Sequence, residues 1–408
     1  MTVSVPLARR AGGPDLARGL ALLGIALANL VGWLHGRPWT VLLKQQDATA
    51  LDRGVDVLLA LLVDNRGFPL FAMLFGYGIG ILHRSALAAG QGNGRFLRRM
   101  LRRNAVLLGI GLAHAILLFS GDILVPYAVI GMFCALLVTR RPIALIAAAV
   151  ITLPVLGVWG WVDGVIGLGG GSGYADASAA DYVAGLRLRT SEALWGLLWA
   201  PLEQIGLLSP MALGALAARA RLLEDVSVNR GMLALIARWG CAVGVLGAVP
   251  LTAVLLADPG HEHLDATTVL GSLGVLHQMS GVVGAAGVAA ACALLAAHAR
   301  ARDSDRDADA VGARMLARAV RAVEALGAVS LSAYLAQSLL GLLVFPPYTL
   351  DLGGTLGSAG GAVIVTAGWL VMLPLASALR RRNRRGPMEH VLRALAGSTP
   401  SRPRGGVR

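Results

Sequence analysis

The sequence predicts an all-α integral membrane protein, a bundle of about ten transmembrane helices with both termini cytoplasmic. Three observations carry this. First, the 408 residues are 56% hydrophobic and only 14% charged, and mean hydropathy is +0.68. Soluble domains carry about 25% charged residues; so few charges cannot cover a water-soluble body of this size. Second, apolar runs of about 20 residues, the length that crosses a bilayer, recur along the whole chain. Third, the basic residues cluster in alternate loops. The same figures exclude an ordinary cytosolic enzyme, a disordered chain and a secreted disulfide scaffold.

The apolar runs predict spans at 16–34, 67–83, 104–119, 122–138, 142–161, 192–217, 233–257, 269–297, 320–345 and 358–379. They form a single transmembrane domain over residues 1–408, with 386–408 a cytoplasmic tail. The first run follows a basic start, as in a signal peptide, but it is long and lacks a small-residue cleavage site. It reads as a retained first helix. Residues 51–63 are amphipathic: Leu51, Val55, Leu58, Leu59 and Leu62 oppose Asp52, Arg53 and Asp56. They predict a helix on the outer membrane surface with its acids toward water. Gly76, Gly78, Gly80, Gly109 and Gly111 read as close-packing positions between helices. The Gly- and Ala-rich stretch 162–190 reads as a flexible outer loop, and Gly169, Gly170 and Gly171 make no phosphate-binding motif.

With the N-terminus inside, the outer side holds only Arg37, Lys44, Arg53, Arg66, Arg187 and Arg189 of the 36 Lys and Arg. The inner side holds the rest, including Arg9 and Arg10, Arg95 to Arg103, Arg140 and Arg141, and the run Arg380 to Arg385. This is the positive-inside bias. It also explains the net charge of +13: the partner of these loops is the anionic inner leaflet rather than nucleic acid. The Asp303, Asp305, Asp307 and Asp309 run has no mid-loop Gly, and Arg314 stands where a calcium loop needs its Glu. It reads as a solvated inner loop. Cys134, Cys241 and Cys292 lie in apolar runs without metal-ligand spacing, so neither a disulfide nor a metal site is expected.

Polar groups inside a bilayer cost free energy and mark functional candidates. Asp15, Arg18 and Asn29 share a face of the first helix, the amide about 16 Å beyond the Arg at a 1.5 Å rise per residue. His35, just past that helix, and His114, mid-helix, are the candidate bases. Asp122 opens the next helix after Ser120-Gly121, where a tight hairpin could bring it to His114. Glu203 with Gln204, and His277 with Gln278, read as intramembrane groups suited to a proton relay. Ser330, Tyr334 and Gln337 align at i, i+4 and i+7, next to Ser338, and line a cavity or join two helices.

These residues also carry a resemblance. The run Asp15-Leu-Ala-Arg18-Gly19 to Asn29 resembles the opening of the YeiB-like bacterial membrane proteins, a family of unknown function. The match continues through Phe71-Ala-Met-Leu-Phe75-Gly76-Tyr-Gly78, Gly111-Leu-Ala-His114 and Gly121-Asp122-Ile-Leu-Val-Pro-Tyr127. It closes with Ser330-Leu-Ser-Ala-Tyr334-Leu-Ala-Gln337-Ser338 and Gly386-Pro387-Met-Glu389; His390 departs from the aromatic expected there. The family is distantly similar to transmembrane acyl transferases such as heparan-alpha-glucosaminide N-acetyltransferase. Phe68-Pro69-Leu70-Phe71 also resembles a segment of those enzymes.

That similarity implies a multi-pass protein of the bacterial cytoplasmic membrane. It would move an acyl group from cytosolic acyl-CoA, a co-substrate, to a hydroxyl or amine of a small-molecule, glycan or lipid acceptor. It places Arg18 near the acyl-CoA, Asn29 near the reacting carbonyl and His35 as base, with His114 a rival. Two other readings stand beside it: a proton-coupled transporter or exporter using Glu203 and His277, and a non-catalytic membrane partner. Oligomeric state is open.

Overall fold

The structure, a computed structural model, describes residues 12–304 and 311–397. Arg9, Arg10, Asp305, Asp307, Asp309 and the end of the basic tail lie outside the described residues, as does the Asp303 side chain. The described residues form helices and no named strand. In chain order these are α1 (Gly12–Ala28), α2 (Ala50–Leu62), α3 (Gly67–Ala88), α4 (Asn93–Leu117), α5 (Leu124–Val138), α6 (Pro142–Val165), α7 (Tyr182–Glu203) and α8 (Leu208–Arg219). Then come α9 (Arg230–Ala257), α10 (Thr267–Ser304), α11 (Val311–Gly327), α12 (Ser330–Val344), the short α13 (Leu352–Thr355), α14 (Ser358–Arg381) and α15 (Pro387–Leu395). Among the described residues, seven helical stretches are long and apolar enough to cross a membrane, or eight if the bent pair α11–α12 is one span. The protein is thus an all-helical, multi-pass membrane protein.

Two predicted spans are each two helices. Over 192–217, α7 ends at Glu203, two residues after Pro201, and α8 begins at Leu208. Over 320–345, α11 and α12 meet at 84°. Gly327 ends α11 where its backbone lies so close to the Asp15 carbonyl of α1 that a Cβ would overlap it. The helix must turn there, and the N-terminus of α12 needs new partners. Glu389 of α15 supplies them: its carboxylate accepts the Leu331 N–H (2.8 Å), the Ser332 N–H (3.1 Å) and the Ser332 hydroxyl (2.6 Å). An anion at a helix N-terminus is also favoured electrostatically. The tail helix is thereby fastened to the bend.

The amphipathic helix is oriented differently from the expectation. On α2, Leu51, Leu58 and Leu62 are exposed, whereas Asp52 and Asp56 are buried. Asp52 accepts the Ala359 N–H at the start of α14 (2.9 Å). The acids face protein because a buried helix start and a buried lysine await them; the leucines face outward, the surface lipid would cover.

The glycine expectation holds in part. Gly76 and Gly80 lie against Met211, Ala215 and Ala218 of α8, and Gly111 against the start of α5. Gly78 faces the Arg18 guanidinium, and Gly109 meets nothing. The main core joins α1, α3, α4, α10, α11 and α12 through residues such as Leu22, Tyr77, Ile110 and Tyr334. A separate cluster stacks Trp33 on Phe119 (4.5 Å) and Phe345 (6.1 Å). All three cysteines are free thiols.

Candidate functional site

The hairpin α4–α5 builds the site. His114 lies in the last turn of α4, and its backbone carbonyl receives the Leu118 and Phe119 N–H groups that end the helix. The chain reverses through Ser120-Gly121, and Asp122 then accepts the Val125 N–H (2.7 Å) in the first turn of α5. That bond fixes the carboxylate. Its other oxygen meets His114 Nδ1 at 2.7 Å. The predicted hairpin pairing is therefore present.

The opposite ring nitrogen has a partner from far along the chain. His114 Nε2 lies 2.8 Å from Ser338 Oγ on α12. His114 and Ser338 are 1% and 4% exposed. A carboxylate at Nδ1 holds the proton there, which leaves Nε2 to accept from the serine hydroxyl. Tyr334 packs its ring 4.8 Å from the imidazole, and its hydroxyl accepts the Ile123 N–H (3.3 Å). The order carboxylate, imidazole, hydroxyl matches a base–nucleophile array with an orienting acid.

The outer loop expected to be flexible is packed against this hairpin. Asp176 is buried and accepts the Ser120 hydroxyl (2.9 Å), with the buried Arg189 guanidinium 3.8 Å away. Burial pushes the Asp176 pKa up, and the Ser120 bond and Arg189 pull it back. Arg189 also donates to the Ile116 carbonyl in α4 (3.0 Å).

At the other end of α1, Arg18 donates to Asp15 (2.8 Å) and to the Leu74 carbonyl of α3 (3.3 Å). The pair predicted from i, i+3 spacing is there. Arg103 faces Arg18 electrostatically, lies 5.2 Å over the Phe75 ring and donates to Asn104 Oδ1 (3.3 Å). Two cations thus flank the same stretch of α3. Asn29 opens the 3-10 turn Asn29–Gly32 that ends α1, half-buried.

The remaining predicted residues are dispersed. His35 is buried in the loops beyond α1, where its backbone N–H bonds the Gly353 carbonyl and its Nε2 lies 3.9 Å from Asp351. Burial lowers its pKa below the ordinary histidine value, against an opposing pull from Asp351. Gln337 donates to the Leu22 carbonyl of α1 (3.2 Å), so it ties two helices together. Ser330 starts α12 at the bend, half-buried, and it is Ser332 that engages Glu389. Glu203 does not fit its expected role. It is the exposed last residue of α7, two residues beyond Pro201. Gln204 follows it, half-buried.

His277 is fully buried in α10, but its neighbours are unexpected. Its Nδ1 lies 3.2 Å from the Asn65 amide nitrogen and its Nε2 2.9 Å from the Ala60 carbonyl. The Asn65 amide also donates to Asp163 (2.7 Å). Next to it the buried Lys44 ammonium meets Asp64 at 2.9 Å. Burial opposes the Lys44 charge, but Asp64, Asp56 and Asp163 together outweigh it and raise its pKa. Sequence reading placed Lys44 in an outer loop and missed this cluster. A Lys and three Asp within an otherwise apolar chain were the available signal. Among the described residues no group of His, Cys, Asp and Glu is placed to hold a metal ion.

Comparison with known proteins matches residues 217–399 to the family described as "Protein of unknown function (DUF418)". That stretch includes Ser338 but not His114 or Asp122. The chain is 30% identical over 146 residues to "Uncharacterized protein YxaH" of Bacillus subtilis (strain 168), covering 35% of this chain and 36% of that one. It is 32% identical over 131 residues to "Uncharacterized protein YeiB" of Escherichia coli (strain K12), covering 31% of each. It is 34% identical over 128 residues to "Uncharacterized 39.9 kDa protein in amylase 3'region" of Bacillus acidopullulyticus, covering 31% of this chain and 34% of that one. The chain spans about a third of the length of these curated relatives.

Proposed function

We propose that this chain, a YeiB-like membrane protein, is an acyl transferase that takes its acyl group from cytosolic acyl-CoA and passes it to a hydroxyl or amine at or across the membrane. The observation that carries the reading is the buried chain Asp122–His114–Ser338. The Ser338 oxygen attacks the thioester carbonyl carbon while its proton passes to His114 Nε2. The carbon–sulfur bond then breaks, and His114 returns the proton to the departing thiolate. The acceptor next attacks the serine ester, with His114 taking the acceptor proton and giving it to Ser338 as the ester bond breaks. Asp122 holds the imidazole tautomer and stabilises its charge. Arg18 and Arg103 offer charge to the donor phosphates, and Asn29 a donor for the developing oxyanion. His35 has no comparable relay and takes no chemical role here.

The topology proposed with it is a single domain of ten spans in the bacterial cytoplasmic membrane, both termini and the 386–408 tail inside. The seven long helices, the bent pair and the two shorter apolar helices Leu124–Val138 and Ile205–Arg219 supply that number. Membrane lipids, a donor and an acceptor are the partners. The test uses purified protein in lipid nanodiscs with radiolabelled acetyl-CoA and longer acyl-CoAs. CoA release and serine-bound label are expected from the parent chain and from His35→Ala, and neither from His114→Ala or Ser338→Ala. Parent-level turnover in His114→Ala and Ser338→Ala would refute the mechanism.

A second reading, a proton-coupled transporter, is favoured by one observation, the buried Lys44–Asp64 group beside His277. It predicts proton-driven flux that collapses in Asp64→Asn, with no acyl product.

A further inference from the structure

The His114 relay is held in place from the outer segment. His114 and Asp122 are joined through residues 115–121, so their 2.7 Å contact depends on the path of that turn. Three side-chain bonds fix the path, and all come from residues 176–189. Arg189 Nε donates to the Ile116 carbonyl (3.0 Å), the Tyr182 hydroxyl donates to the Leu117 carbonyl (3.0 Å), and Asp176 accepts the Ser120 hydroxyl (2.9 Å).

The first two bonds answer a local need. The last four carbonyls of a helix have no partner within it. At the end of α4 the His114 carbonyl receives the Leu118 and Phe119 N–H groups. The Ile116 and Leu117 carbonyls are met by side chains instead. A cation at a helix C-terminus is also favoured electrostatically.

Helix α7 is shaped to deliver these groups. Asp181 caps its start by accepting the Ala184 N–H (2.8 Å). Tyr182, Gly185 and Arg189 then fall at i, i+3 and i+7, on one face. The Arg189 guanidinium lies 5.2 Å over the Tyr182 ring. Gly185 leaves it room, since a Cβ there would stand 2.9 Å from Arg189 Nη1. Asp176 is 3.8 Å from that same nitrogen, and Glu192 and Tyr348 also face the guanidinium.

Arg189 is 1% exposed. A buried ion pair adds little stability over apolar side chains of the same volume. What a guanidinium adds is a planar fork with fixed bond directions. Its Nε holds the last turn of α4, which carries His114. Its Nη1 faces Asp176, which holds Ser120 in the turn that leads to Asp122. One side chain thus acts on both members of the imidazole–carboxylate pair.

We infer that Arg189 is a positioning residue, which sets the His114 ring between Asp122 and Ser338 through the last turn of α4 and through Asp176. Its effect on rate rests on the acyl-transfer reading; its effect on the imidazole does not.

Nitrogen NMR of the full chain in nanodiscs, with isotope-labelled histidine, tests it. The His114 signal is the one missing from His114→Gln. In the parent it should report a proton held on Nδ1. Arg189→Met should move both ring-nitrogen shifts toward exchange between tautomers, and Tyr182→Phe and Ser120→Ala should move them less, in the same direction. Ser120→Thr restores the hydroxyl and should return the parent signal. In acyl-transfer assays kcat should fall about 10²-fold in Arg189→Met, the loss that a ~1 Å misplacement brings, with KM unchanged. A folded Arg189→Met with the parent His114 signal overturns the inference, whatever its melting temperature. Should that variant fail to fold, a parent signal in both Tyr182→Phe and Ser120→Ala overturns it. A chain that transfers no acyl group yet shows the shifted signal refutes the proposed function and supports the positioning role.

Discussion

His114 Nε2 and Ser338 Oγ lie 2.8 Å apart, although 224 residues separate them in the chain. The contact exists because α12 turns 84° away from α11, which brings Ser338 and Tyr334 to the imidazole. Its meaning depends on the other ring nitrogen, where Asp122 decides which tautomer meets the serine.

Asp122→Asn is therefore expected to lower acyl transfer without unfolding the chain. An amide can present its N–H to Nδ1 and reverse the tautomer, so that Nε2 no longer accepts from Ser338. Losses of about 10²–10⁴-fold in turnover are typical for general acid–base groups. Stopped assays of CoA release should show the loss in kcat rather than KM. A variant within twofold of the parent would mean that the pair only locks the hairpin.

Lys44→Met should destabilise the protein strongly. Removing one partner of a buried ion pair costs about 3–5 kcal/mol, and Lys44 is 2% exposed. The double variant Lys44→Met, Asp64→Asn should recover part of the loss. The pH effect has a definite sign. Because the folded pKa is raised from 10.5, the Lys44 contribution is complete below that pH and fades as pH climbs through the higher folded value. Thermal unfolding in nanodiscs against pH measures both.

His35 should respond at the opposite end of the scale. Its folded pKa lies below 6.5, so the unfolded chain takes up a proton first on acidification. The stability tied to its neutral form is present above about pH 6.5 and is lost as pH falls through the folded value. His35→Gln should flatten the fall in melting temperature between neutral and mildly acidic pH. Parallel curves for parent and variant would contradict this.

Glu389→Ala should release the tail helix. Three bonds from α12 end on this one carboxylate, and a helix-capping side chain contributes about 1 kcal/mol. Hydrogen exchange should rise in α15 and at the start of α12, while amides in the α9–α10 pair keep their protection. Unchanged exchange in residues 387–395 would show that other contacts hold the tail.

Much of the architecture was legible in the order of residues, because a membrane span is a local property. The apolar run from Pro142 needs no partner to declare itself, and Asp122 stands close enough to His114 for a hairpin to be foreseen. The break within 192–217 was not predictable from Pro201, because Pro154, Pro250 and Pro374 sit inside helices that run on. Which polar residues meet was a different matter. Ser338 was visible in a polar stripe, four residues and one turn beyond Tyr334, but nothing in residue order said that this stripe would meet the imidazole of His114. Lys44 looked like a loop cation. Its burial follows from the inward face of α2 and the bend before α3, neither of which leaves a periodic trace. Residue order thus determined a helical membrane protein and the short list of polar groups inside it. Tertiary structure chose the pairs, because a hydrogen bond is made at under about 3.2 Å, and helices distant in sequence reach that precision only through the packing of the whole bundle.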